Sequence, residues 1–131
     1  MLVMKSILVV DDDEDDCTII RDSLYQVGAR YPIYTVHGGV QAFRMLDDMS
    51  GNLPALIILD LNMPRMNGLD VLAKLKSAHQ IPVILYTTSC TEETTTKAKN
   101  LGAIDCIKKG NSYTDNLKFA KYVSGLLKDF N

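Results

Sequence analysis

The chain has 131 residues, of which 47% are hydrophobic and 23% charged, with a formal net charge of −2. That balance describes one globular domain with enough apolar material to bury a core. It argues against a basic nucleic-acid surface, a membrane span of ~20 apolar residues is missing, and "MLVMKSILVV" is too short and poorly flanked for a signal peptide.

Residues 6–10, "SILVV", form a continuous apolar run that reads as a strand covered on both faces, and the run stops at Asp11, Asp12 and Asp13. Cys17, Ile20, Leu24 and Val27 follow at helical spacing. The acids at 13–16 fit a first helical turn, where capping, the helix dipole and solvation account for them. Residues 33–36 predict a second strand, and Phe43, Leu46 and Met49 a second helix. Residues 55–60, "ALIILD", predict a third strand ending on Asp60. An acid placed there is expected to be paired or functional, because burying it alone is costly.

Val71, Leu72, Leu75 and Ala78 mark a third helix, and residues 83–87 a fourth strand ending at Thr87 and Thr88. Residues 91–101 predict a short, marginal helix: it holds four threonines and only Ala98 and Leu101 as apolar anchors, with Ser89 and Glu92 at capping-box spacing. Residues 105–107 form the fifth strand, ending at Lys108 and Lys109, and Leu117, Ala120, Val123, Leu127 and Phe130 the last helix. The alternation predicts an α/β fold, a (βα)₅ doubly wound five-stranded parallel sheet, filling residues 1–131 as one domain with no output domain.

Cys17, Cys90 and Cys106 are widely spaced, and His37 and His79 do not cluster with them, so neither a zinc site nor a disulfide framework is indicated. All three thiols read as small apolar packing groups in a reducing cytoplasm. The chemistry lies elsewhere. Ligands of parallel sheets bind at the carboxyl ends of the strands, and there Asp11, Asp12 and Asp13, Asp60, Thr87 and Thr88, and Lys108 and Lys109 converge. Carboxylates suit Mg²⁺, which shares phosphate oxygens. A carboxylate can also attack phosphorus, with an ammonium and a hydroxyl holding the phosphoryl oxygens. Taken singly, each residue has a plainer use: a solvated acidic turn, a β-branched strand residue, a surface lysine. The inference rests on their convergence.

The pieces "ILVVDDDEDD", "LIILDLNMPRMNG", "PVILYTTS" and "GAIDCIKKG" together resemble the receiver domains of two-component response regulators over essentially the whole chain. The chain looks most like a chemotaxis-regulator-type single-domain receiver with the flavodoxin-like fold. The resemblance implies that Asp60 is the phosphoacceptor and that Asp11, Asp12, Asp60 and the backbone carbonyl of Asn62 hold Mg²⁺. It implies that Thr87 and Lys109 engage the phosphoryl group, and that Asn62 and Ser89 occupy positions tuning its hydrolysis. "GAxDxxxK" spacing favours Lys109 over Lys108, which strand alternation sends to solvent. The implied function is phosphoryl transfer from a sensor histidine kinase or histidine phosphotransfer protein to Asp60. No enzyme activity beyond its own phosphorylation and dephosphorylation is expected.

Output is expected through a protein contact on the face of the fourth helix, fifth strand and fifth helix, in the cytoplasm, with no DNA and no membrane partner. Two residues depart from the family pattern. Gly110 replaces the usual proline, so a trans bond or an altered loop is expected beside Lys109. Cys106 replaces the usual aromatic switch residue, leaving Thr87, Tyr86 and the helix at 91–101 as the expected signal route. The alternatives are a haloacid-dehalogenase-like phosphatase, since Asp11-x-Asp13 mimics its nucleophile motif, and a pseudo-receiver that keeps the fold without the phosphorylation.

Overall fold

The computed structural model describes residues 5–129 of the chain. Five strands and five helices alternate: β1 Ile7–Val10, α1 Glu14–Gln26, β2 Ile33–Val36, α2 Gly39–Asp48, β3 Leu56–Leu59, α3 Gly68–Ala78, β4 Val83–Thr87, α4 Glu92–Asn100, β5 Asp105–Lys108 and α5 Tyr113–Asp129. The strands form one parallel sheet in the order β2-β1-β3-β4-β5. The expected doubly wound five-stranded sheet is the one observed.

Strand alternation divides the core into two layers. Leu8, Val10, Ile57, Leu59, Val83, Leu85 and Cys106 face α2, α3 and α4. Ile7, Val9, Leu56, Ile58, Ile84 and Tyr86 face α1 and α5. All four residues of β1 and of β3 are buried, as continuous apolar strands with helices on both faces require.

Helix starts decide where the strand-end loops lie. Asp13 caps α1, its carboxylate accepting from the amides of Asp15 and Asp16. Asn67 caps α3 through the Leu69 amide. Gly68 then comes so close to the third strand's end that a Cβ there would overlap the Leu61 backbone and lie 2.7 Å from the Asp60 carbonyl. Glycine lets α3 press against the segment that leaves β3, which fixes Asp60 from below.

Three helix details differ from the sequence reading. The cap of α4 is Thr91, whose hydroxyl accepts from the Thr94 amide at 3.1 Å, rather than Ser89. Both patterns offer a hydroxyl just before a polar turn, and only the loop path decides between them. Leu101 is 37% exposed, leaving Ala98 as the single buried anchor of α4. Ala78 lies exposed in the last turn of α3. Phe130 lies outside the described residues.

Candidate functional site

Two switch-point strands and their neighbours bring the predicted residues together. Asp11 follows β1 directly, tied to the sheet by its amide on the Val36 carbonyl at 3.0 Å, and Asp60 follows β3 with its amide on Val10 at 2.9 Å. Asp11 is 2% and Asp60 5% exposed, while Asp12 faces solvent. One carboxylate oxygen from each of the three lies within 4.8 Å of the others.

Lys109 extends from just past β5, its amide held by the Thr87 carbonyl at 2.9 Å. Its Nζ lies 2.6 Å from Asp11 Oδ2, 2.8 Å from Asp16 Oδ2 and 3.5 Å from Asp60 Oδ2. Lys108 is exposed, as alternation predicts. Burial works against the Lys109 charge, yet the hydrogen-bonded carboxylates of Asp11 and Asp16 outweigh it and hold the pKa above the ordinary lysine value.

Thr87 is fully buried at the end of β4. Its hydroxyl accepts from the Ser89 amide and from the Asn62 side-chain amide, each at 3.3 Å. Asn62 Nδ2 also reaches Thr88 Oγ1 at 3.2 Å and Ser89 Oγ at 2.9 Å, and the Asn62 backbone amide donates to Asp60 Oδ1 at 3.2 Å. Asn62 thus spans the gap between the ends of β3 and β4. Beside it an open cleft of about 890 Å³ is lined by Asp12, Asn62, Pro64, Arg65, Ser89 and Thr94.

Desolvation raises the Asp11 pKa from 3.8 to about 6, and the Asp60 charge adds to it; Lys109 and the Asp13 amide oppose the shift. An acid with a raised folded-state pKa binds its proton more tightly when folded. Its stabilising contribution is complete below the unfolded value of 3.8 and is lost as the pH rises through about 6. Metal-free protein is therefore expected to gain thermal stability between about pH 7 and about pH 5, and Asp11→Asn to lose that part of the slope. Equal slopes in the two proteins, followed by calorimetry, would place the titration elsewhere.

Asp16 was not among the sequence candidates, yet it shares Lys109 with Asp11. The signal was available: Asp16 precedes buried Ile20 by one helical turn, so it belongs to the inward side of α1. Asp13, the second acid of the phosphatase-like motif, spends its carboxylate on the helix cap instead.

Of the residues on the expected signal route, Tyr86 does not face the helix at 91–101. Tyr86 faces the α1/α5 layer, stacked on Phe119 with ring centroids 3.7 Å apart and planes at 4°. Its hydroxyl donates to Asn116 Oδ1 and accepts from the Gly110 amide, both at 3.3 Å. Adjacent strand residues point to opposite faces, so Tyr86 meets α5 and the Lys109 loop, not α4. Gly110 is reached without a cis bond, no cis peptide occurring among the described residues.

The family model for the response regulator receiver domain matches residues 7–119. The transcriptional regulatory protein CpxR of Klebsiella pneumoniae is 36% identical over 106 residues, which are 81% of this chain and 43% of that protein. The chain thus spans less than half the length of this curated relative. Among solved structures, the phosphorylated cyanobacterial phytochrome response regulator RcpA superposes with a TM-score of 0.81 at 28% identity, covering 92% of this chain and 91% of its own. The Mn²⁺-bound response regulator Rcp1 gives a TM-score of 0.77 at 27% identity, covering 91% of each chain. With its sheet order, its strand-end acids and lysine, and these matches, the chain belongs to the response regulator receiver domain family.

Proposed function

We propose that Asp60 is a phosphoacceptor, loaded from the phosphohistidine of a sensor histidine kinase or histidine phosphotransfer protein, or from a small acyl phosphate. A carboxylate oxygen of Asp60 bonds to phosphorus as the donor's P–N or P–O bond breaks, and the bonding electrons leave with the imidazole or the carboxylate. The observation that carries this reading is the buried Asp60 carboxylate at the end of β3, with the Lys109 ammonium 3.5 Å away and the Asp11 and Asp12 carboxylates grouped beside it. In this reading Lys109 and the Thr87 hydroxyl hold the phosphoryl oxygens. The Asn62 side chain, spanning to Ser89, sits where it can control the approach of hydrolytic water.

The donor set fits a divalent cation. Three carboxylates converge, two of them buried, and one lysine shared with Asp16 is a small counter-charge for them. Asp11, Asp12, Asp60 and the Asn62 carbonyl would hold Mg²⁺, which there supplies positive charge against the incoming phosphoryl oxygens. The Mn²⁺ named for Rcp1 and the phosphorylation named for RcpA support the same reading. Phosphorylation would then act through a protein contact on the α4–β5–α5 face, in the cytoplasm. Acetyl phosphate with Mg²⁺ is expected to add about 80 Da in a base-labile form. Chelating the metal first should remove the adduct; an undiminished yield in chelator would remove Mg²⁺ from the account.

A further inference from the structure

Away from the acids, on the α4 side of the sheet, two of the three thiols come together. Cys106 is buried in β5, and Cys90 lies half-buried in the segment joining β4 to α4. Cys90 Sγ donates to the Cys106 carbonyl at 3.0 Å and lies 3.6 Å from Thr95 Oγ1. Cys17 is remote from both, on the other face of the sheet, against the Asp11 carbonyl and His37. Spacing in the sequence gave no hint of the pair, because sixteen positions separate the two residues; the β4–β5 pairing sets Cys106 beside Leu85, and the segment after β4 then brings Cys90 to the Cys106 carbonyl.

We propose that Cys90 and Cys106 are a dithiol modification site, oxidised by a hydroperoxide or a small-molecule disulfide to an intramolecular disulfide. With a hydroperoxide, Cys90 sulfur attacks the peroxide bond and becomes a sulfenic acid, releasing an alcohol or water. Cys106 sulfur then displaces the hydroxyl as water, and the sulfur–sulfur bond forms; two thiols lose two electrons and two protons. With a small disulfide, two exchanges release two small thiols.

Exposure sets the order. Cys90 is the more accessible and meets the oxidant first. Burial, then the adjoining Cys90 thiol, pushes the Cys106 pKa up to about 12, which makes its attack the slow step and quickens it in alkaline solution. The bond requires the two Cα atoms within about 7 Å. The Cys90 segment lies outside any strand or helix, and α4 beyond it has Ala98 as its one buried residue, so the approach is allowed to adjust. The cross-link would fasten the segment carrying Ser89 to β5.

The test uses the whole chain, treated with hydrogen peroxide or oxidised glutathione at mildly alkaline pH, then denatured with free thiols blocked. Blockable thiols are expected to fall from three to one, the intact mass to drop by about 2 Da, and a peptide joining Cys90 to Cys106 to appear. A reductant should restore all three; Cys90→Ser should keep both remaining thiols, whereas Cys106→Ala, lacking the resolving thiol, should form no cross-link and halt at a sulfenic acid or a glutathione mixed disulfide on Cys90. Three surviving thiols would overturn the proposal. So would a lasting glutathione adduct or sulfinic acid on Cys90 while Cys106 is present, or a cross-link between two chains.

Discussion

Replacing Lys109 with methionine is expected to cost the metal-free protein about 3 kcal/mol at neutral pH. Methionine keeps most of the apolar stem, so the loss reports the ammonium. That ammonium lies within 4 Å of three carboxylates, and two of them, Asp11 and Asp60, are almost wholly buried. Removing it leaves buried negative charge without its cation, which costs more than a surface ion pair contributes. The loss should shrink under three treatments that lower the same repulsion: acidification to about pH 5, which protonates Asp11; added Mg²⁺; and the Asp11→Asn background. Urea unfolding of the four proteins measures it. A loss that is equal in all conditions would mean that packing, not charge, holds Lys109.

Gly110→Pro, which inserts the residue type usual in the family, is expected to destabilise the chain by about 2–4 kcal/mol. A Cβ at position 110 would overlap Asp115 Cβ and lie 3.0 Å from its Cγ. Proline also removes the amide that donates to the Tyr86 hydroxyl, itself buried beside Phe119. Gly110→Ala separates the two causes, because alanine brings the overlap but keeps the N–H. The alanine variant should recover about 1 kcal/mol of the loss, the worth of one buried hydrogen bond. If the proline variant matched the natural protein in thermal unfolding, the α5 start would have to be free to withdraw. In that case the Tyr86–Gly110 bond would contribute little.

Most of the fold and site was legible because strand residues buried on both faces must be apolar throughout. Any polar residue ending such a run is therefore conspicuous. Asp11, Asp60 and Thr87 stand out for that reason, whereas Lys109 follows a short, half-buried edge strand and is distinguished from Lys108 by the "GAxDxxxK" spacing of the family it resembles; the structure brings the four to one edge. What stayed hidden depended on helix phase or on loop path. Asp16 reads as one acid among several until α1 is wound and turns it towards Lys109. Thr91 and Ser89 compete as caps with similar chemistry, and the turn after β4 selects Thr91. Tyr86 neighbours Thr87 in sequence but is directed by the pleat to the opposite layer, onto Phe119. The meeting of Cys90 and Cys106 needs both the β5 register and the loop above it.

The central claim is that Asp60 receives the phosphoryl group, and the most direct measurement locates the adduct. Intact-mass and peptide analysis of the chain after acetyl phosphate and Mg²⁺ should show one added group of about 80 Da, on the peptide containing Asp60. Asp60→Asn, which retains the side-chain shape and an acceptor for the Asn62 amide, should show none. An adduct of equal yield in Asp60→Asn, or one mapped to Asp11 or Asp12, would contradict the account.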